Sequence, residues 1–184
     1  MIKRYKIVST YVFLSGALLM LLLSAAGAAK AAKDSSGDLT REVRHRLVML
    51  PYYSVFDDLE YKVEGGTVTL MGEVTRPTLK SDAENAVKNI EGVEKVVNNI
   101  EVLPLSPNDD RIRRAVYRAI YSFPSLQMYA LQAVPSIHIL VKNGHVKLVG
   151  VAATKMDKDA AGIRANGVSG VFSVDNQLVV EGGK

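Results

Sequence analysis

The sequence predicts an α+β protein built from two tandem copies of one small α-β-β-α-β unit. V-E-G-G-T-V-T-L-M-G-E-V at Val63 to Val74 returns 78 residues later as V-K-N-G-H-V-K-L-V-G-V-A at Val141 to Ala152. That spacing is too long for a solenoid repeat and suits a second small domain with its own core. In each copy the apolar period also changes in the same order, from helical to alternating and back.

The first helix of copy one is read from Leu39, Val43, Leu47 and Leu50, which recur every three to four residues among Arg41, Glu42, Arg44 and Arg46. Asp38 is its expected N-cap and Pro51 its stop. In copy two, Ile112, Ala115, Val116, Ala119 and Ile120 make the stripe, with Asn108 as cap, Asp109 and Asp110 at the positive end of the helix dipole, and Pro124 closing the run.

Strands follow. Val63, Val68 and Leu70, and likewise Val141, Val146 and Leu148, alternate with polar residues, the period of half-buried strands. Gly65-Gly66 and Asn143-Gly144 supply the positive φ of tight hairpin turns. Gly72 and Gly150 end the hairpins where a bend or close backbone approach needs no Cβ. A second helix is expected from Leu79, Ala83, Ala86, Val87 and Ile90, stopped at Gly92. Its counterpart, from Met156, Ala160 and Ile163 to Gly167, is weakened by Gly162, at roughly 1 kcal/mol relative to alanine.

A last strand closes each unit, Val93 to Val102 and Val168 to Val180. Pairing Gly92 with Gly167 makes the second helix shorter in copy two and its final strand approach longer, as a bulge would. Copy two also has a longer, proline-marked lead-in from Ser122 through Pro135.

The hairpin ending V-T-L-x-G-x-V at Val68 to Val74 and the closure G-V-x-x-V-x-N-x-I/L-x-V at Gly92 to Val102, echoed by Gly167-Val168, Asn176 and Leu178, resemble the BON domain of bacterial envelope proteins. The resemblance spans Asp38 to Val180. It implies, for each unit, a three-stranded mixed sheet packed against two helices, and a non-catalytic role in binding phospholipid or attaching proteins to the cell envelope. Tandem copies behind an export signal resemble the osmotically induced periplasmic members. The matching positions are structural glycines and core valines, so no ligand residues carry over.

Residues 1–32 begin with Lys3, Arg4 and Lys6, continue in an apolar run from Ile7 to Gly27, and end in small residues. This is the layout of a cleaved signal peptide, favoured over an uncleaved membrane anchor of similar length. The expected organisation is therefore an export segment at 1–32, units at 37–103 and 108–182, a stiff linker at 104–107, and a periplasmic address. There is no cysteine, which removes disulfides, thiolate metal sites and a lipidated terminal cysteine.

Residues 1–32 hold four basic side chains and no acid, leaving nineteen of each sign in 33–184. A nucleic-acid partner is not expected. The charge is split, with net −4 in residues 33–106 and net +4 in 107–184. Opposite charge can draw the units together, or turn the second toward anionic headgroups. Arg111, Arg114 and Arg118 fall at i, i+3 and i+7 beside Tyr117 and Tyr121. Arginine offers phosphate a planar fork and tyrosine an apolar body with a polar tip. These five are the candidate lipid- or partner-binding residues, set against a plain solvated helix face.

No catalytic or metal site is expected. His45, His138 and His145 have no second ligand at suitable spacing and read as outward or turn-flanking residues. Asp57 and Asp58 read as a turn or strand-lead pair, since a two-carboxylate enzyme needs them opposed across a cleft. No cofactor and no small-molecule substrate is implied. Tyr52, Tyr53, Val55 and Phe56, and Phe123, Leu126, Met128, Tyr129 and Leu131, read as core beneath a loop or, if exposed, a contact patch. The function expected is non-enzymatic binding at the membrane surface, in envelope stress or osmotic protection. Periplasmic protein assembly or peptidoglycan and polysaccharide binding is the alternative, and self-association is open.

Overall fold

The computed structural model describes residues 37–132 and 134–182, so the expected export segment lies outside the described residues. Each unit is a small mixed sheet with two helices on one face. In unit one, α1 occupies residues 37–48. β1 (Glu60–Glu64) pairs antiparallel with β2 (Thr67–Met71), and the chain passes through β3 (Glu73–Val74) and α2 (Pro77–Lys88). β4 (Lys95–Asn98) then returns parallel to β2, and β5 (Glu101–Val102) parallel to β3.

Unit two repeats the plan. It has α3 (Pro107–Tyr121), a 3-10 helix (Pro124–Leu131), β6 (Ile137–Lys142), β7 (His145–Ala152), α4 (Lys155–Asn166), β8 (Ser173–Asn176) and β9 (Val179–Val180). β7 pairs antiparallel with β6 and parallel with β8 and β9. The expected three-stranded mixed sheets on two helices are thus present in both copies.

The alternation read from sequence sets the register. Tyr61 faces Leu70 and Val63 faces Val68, as Ile139 faces Leu148 and Val141 faces Val146. Asn143 and Gly144 both take positive φ, 54° and 79°, as a two-residue hairpin turn demands. Gly72 and Gly150 sit at φ 106° and 110°, and a Cβ there would lie 2.3 Å from the Asp58 carbonyl oxygen or 2.0 Å from that of Ser136. These two glycines let the chain that leads into each hairpin cross the strand that leaves it.

Several expectations need correction. Gly92 (φ 88°) matches Gly170 (φ 91°), not Gly167, which caps α4 at φ −77°. With that pairing Gly72 and Gly150, Gly92 and Gly170, and Asn98 and Asn176 all stand 78 residues apart. The second helix is not shortened, and no bulge is needed.

The asparagines explain the strict spacing. Asn98 Nδ2 donates to the Lys80 carbonyl at 3.0 Å and Asn176 Nδ2 to that of Lys158 at 2.7 Å. Their Oδ1 atoms accept from the amides of Ile100 and Leu178. Each asparagine thereby ties the last strand to the second helix. Gly162 belongs to this device, because a Cβ there would stand 2.8 Å from Asn176 Nδ2.

The helix ends also differ from expectation. Asp38 lies inside α1 and pairs with Arg41. The cap of α3 is Ser106, whose Oγ accepts from the Asp109 amide at 3.2 Å, with Pro107 at the first turn. In α4 the inward residues are Asp157, Ala161 and Ala165, while Met156 and Ile163 are 77% and 71% exposed. Alanine fills that face because α4 packs closely on α3 and the sheet, where a larger side chain would not fit.

Candidate interaction surface at the junction of the units

The segment between α1 and β1 leaves its own unit. Val55 is buried in the core of unit two, among residues that include Ile139 and Leu126, and Phe56 packs against that core. The Val55 carbonyl accepts from the Ile139 amide at 2.8 Å, so this short stretch pairs with the free edge of β6. Tyr53 stacks on His138 at 5.6 Å between centroids, and Phe56 meets Tyr117 edge-on at 6.1 Å. Val55 and Phe56 therefore form an inter-unit clasp rather than core beneath their own loop. Tyr53 packs on its own unit's core as well as on His138, and Tyr52 is exposed against Arg76. In copy two Leu126 and Tyr129 are buried as core, while Met128 and Leu131 are exposed.

Asp57 holds the clasp in shape. Its buried carboxylate accepts from Ser54 N and Oγ at 3.1 and 2.6 Å and from Thr75 N and Oγ1 at 2.7 and 2.8 Å. Four donors commit its oxygens to the turn, the structural role expected of it.

Charge closes the remainder of the junction. Lys147 pairs with Glu73 and Lys142 with Glu101, each pair joining the two units. Leu140 and Val149 sit on the outer sheet face with Lys147 and are buried, yet belong to neither core. In register they face Lys147, which pairs with Glu73, and His138, which stacks on Tyr53, so they lie at the junction. The first account of the charge split, attraction between units, is thus realised in named pairs. Burial, then the carboxylates of Glu60 and Glu73, raise Asp58 to about 6 against a downward pull from Lys147. Burial holds His138 below the usual histidine range, and its position behind Tyr53 corrects the expectation of an outward residue.

Of the five candidate residues, the structure brings three and half of a fourth to one surface. Arg111, Arg114 and Arg118 are exposed on α3. Arg111 Nη2 donates to Asn108 Oδ1 at 2.9 Å and lies across Gly170. Among the described residues, no carboxylate pairs with any of the three. Tyr117 is half-buried beside them. Tyr121 lies beneath this face, its ring 4.7 Å from that of Tyr117 between centroids. It is 7% exposed, its hydroxyl donates to the Ile137 carbonyl at 2.6 Å, and burial raises its pKa. The chain that follows α3 wraps over its last turn and encloses that ring.

Between the clasp and α3 runs an open groove of about 640 Å³, lined by Tyr53, Val55, Phe56 and Pro135 and flanked by Arg114, Tyr117 and Arg118. It pairs apolar walls with two free guanidiniums.

Sequence reasoning passed over two residues that shape this face. Arg113 is 4% exposed and donates to Asp110 Oδ1 at 2.5 Å and to the Val141 carbonyl at 2.6 Å. Its place three and seven residues before Val116 and Ile120 puts it on the buried stripe. Asp109, expected only to complement the helix dipole, accepts from the Asn143 and Gly144 amides at 2.9 Å each and pins the hairpin turn to α3. Among the described residues no cluster of His, Asp or Glu could hold a metal, and no helix is long and apolar enough to cross a membrane.

The chain is similar to two solved structures of CdsD, a structural protein of the type III secretion system of Chlamydia trachomatis, one of them its C-terminal domain. Identity is 13% and 14%, with 78% of this chain and 97% and 92% of theirs covered, at a TM-score of 0.30 in both. No curated protein matches the chain. The family model for the BON domain matches residues 35–104 and again 108–182. Both matches coincide with the units whose hairpins, turn glycines and asparagine ties repeat 78 residues apart, and the chain belongs to the BON-domain family as a tandem-domain member.

Proposed function

We propose that this is a non-enzymatic, exported protein that binds the anionic surface of an envelope membrane through the α3 face of its second unit. One observation carries the reading. Arg111, Arg114 and Arg118 stand exposed at i, i+3 and i+7 with no carboxylate partner among the described residues, while Lys147 and Lys142 of the junction are spent on Glu73 and Glu101. Such guanidiniums suit phosphate oxygens, and Tyr117 and the groove offer the apolar contact that an interface requires. The export layout of residues 1–32 supports the periplasmic address. A role in osmotic or envelope stress rests on the resemblance alone. The non-enzymatic reading is supported by Asp57, whose oxygens are saturated, and by the structural nature of the residues shared between copies.

The test is co-sedimentation of residues 33–184, which hold every residue of both cores, with vesicles of neutral or anionic lipid. Binding is expected only with anionic lipid and to weaken with salt. Each arginine near such a surface contributes about 1 kcal/mol, so the Arg111→Ala, Arg114→Ala, Arg118→Ala triple variant is expected to bind on the order of 100-fold more weakly. Binding that ignores lipid charge, or survives the triple variant, would sink the proposal.

The groove favours a second reading. Tyr53, Phe56 and Tyr117 around it suit a protein partner, which would bind with little salt dependence and respond to Phe56→Ala rather than to loss of the arginines.

A further inference from the structure

The two units have the same sheet but not the same edge. In unit two, three of the outward backbone groups of β6 are taken. Ile137 O accepts from Tyr121, Ile139 N donates to Val55 O, and Val141 O accepts from Arg113 Nη2. The matching residues 78 positions earlier are Leu59, Tyr61 and Val63. The strand registers coincide, Tyr61 with Leu70 as Ile139 with Leu148, so the N–H and C=O of Tyr61 and Val63 point away from β2. Among the described residues these groups of Tyr61 and Val63 have no partner. An open edge of this kind pairs readily with another strand.

We propose that the β1 edge is a self-association site, at which two copies of the chain pair antiparallel and join their three-stranded sheets into one of six strands. The occupant is argued from charge. β1 reads Glu60-Tyr61-Lys62-Val63-Glu64, with the three charged side chains on the exposed face and Tyr61 and Val63 partly buried. An antiparallel two-fold pairing can centre on Tyr61, Lys62 or Val63. Centred on Lys62, it opposes lysine to lysine and Glu60 to Glu64. Centred on Tyr61, it sets each Lys62 opposite Glu60 of the other copy but Glu64 opposite Asp58. Centred on Val63, it sets each Lys62 opposite Glu64 of the other copy and opposes no like charges. That pairing spans Lys62 to Glu64, where the Gly65-Gly66 turn ends the strand, and Val63 exchanges both backbone bonds with its counterpart. Opposed unlike charges stabilise a cross-strand pair and like charges oppose it, so the Val63-centred pairing is selected. Lys62 and Glu64 already pair within one chain at 2.9 Å, and that exposed pair is replaced at little cost.

At the same edge of unit two the Ile139 amide donates to the Val55 carbonyl, so this fold accepts a backbone partner there. A symmetric contact of one surface with itself closes after two copies and does not propagate. Because β1 is short, the expected association is weak, with a dissociation constant on the order of 100 μM.

Sedimentation equilibrium of residues 33–184 across concentrations up to about 1 mM tests the proposal. The expected result is a reversible monomer–dimer equilibrium. Val63→Pro removes an N–H that bonds nothing within the unit and so should leave the fold intact while abolishing the dimer. Should that variant lose its far-ultraviolet circular dichroism, Lys62→Glu decides, because it places like charges across the pair and should weaken the dimer at least tenfold. A wild-type chain that stays monomeric throughout, or a dimer that Lys62→Glu leaves unchanged, overturns the proposal.

Discussion

Val55→Ala gives the sharpest test of how the units are joined, because the residue belongs to copy one by sequence and to the core of copy two by contact. The valine is 8% exposed. Losing two methyl groups forfeits about 1.6 kcal/mol of transfer free energy. The space left behind, closed only in part, brings the loss to roughly 2–3 kcal/mol. The backbone bond from Ile139 to Val55 survives the substitution, so the effect isolates packing. Native-state hydrogen exchange resolves where the loss falls. Amides of β6 and β7, such as Leu148, should exchange about 30-fold faster for a 2 kcal/mol loss. Those of β2, such as Leu70, should change little. Faster exchange confined to β2 and α2, with β7 unaffected, would refute the clasp and return Val55 to its own unit.

Other outcomes follow from the same geometry. Gly150→Ala, which brings a Cβ to 2.0 Å from the Ser136 carbonyl oxygen at φ 110°, should cost more than about 3 kcal/mol or prevent folding. Gly92→Ala, at φ 88° with open space around it, should cost only about 1–2 kcal/mol in thermal unfolding. Asn176→Ala removes the bonds to Lys158 and Leu178 and leaves both groups to find water, for a loss of about 2 kcal/mol by urea unfolding, with Asn98→Ala behaving alike in unit one. Asp58, raised to about 6 in the folded chain against 3.8 unfolded, binds its proton more tightly when folded. Its contribution therefore worsens as pH rises from 4 to 6, and Asp58→Asn should remove that slope and stabilise the chain at pH 7 by about 1 kcal/mol after solvent screening. His138, held low by burial, runs the opposite way: its contribution is lost as pH falls through and below about 6.5, and His138→Gln should flatten that acid loss in a thermal-melt pH series.

The parts of this fold that were legible are those decided by local backbone chemistry. Asn143-Gly144, Gly72 and Gly150 take the positive φ that glycine and asparagine admit at least cost, and the valine alternation beside them admits one strand phase. The misread parts turn on choices that local pattern leaves degenerate. Gly-Val occurs at both Gly167 and Gly170, and only the φ of 91° at Gly170 shows which one makes the turn into β8. In α4 the alanines that face the core carry little hydrophobic signal, so the larger Met156 and Ile163 drew the stripe to the solvent side. Tyr117 and Tyr121, one turn apart with rings 4.7 Å between centroids, differ in exposure because Tyr121 reaches inward to the Ile137 carbonyl, which no periodicity in α3 encodes. The destination of Val55 was not legible at all, because it is fixed by a contact between units rather than within one.

The charge split can now be divided between its two uses by residue. Attraction between the units is carried by lysines on strands: Lys147, half-buried against the largely buried Glu73, and Lys142, exposed against Glu101. Magnitude ranks them, since an exposed pair contributes well under 1 kcal/mol and a partly desolvated one more. The arginines of α3 take no part in this and remain without carboxylate partners among the described residues. The two accounts are therefore not rivals. The residue types fit the division, since lysine serves as a point charge matched to one carboxylate across a fixed junction, whereas arginine presents a planar fork suited to phosphate oxygens. The clasp sets the limit on how far the two can be separated, because Phe56 packs on Tyr117, between Arg114 and Arg118 in sequence. Unit one thus supports the face that unit two presents. The second unit alone would keep the arginines but lose one wall of the groove beside them, which gives a physical reason for the pair to be made as a single chain.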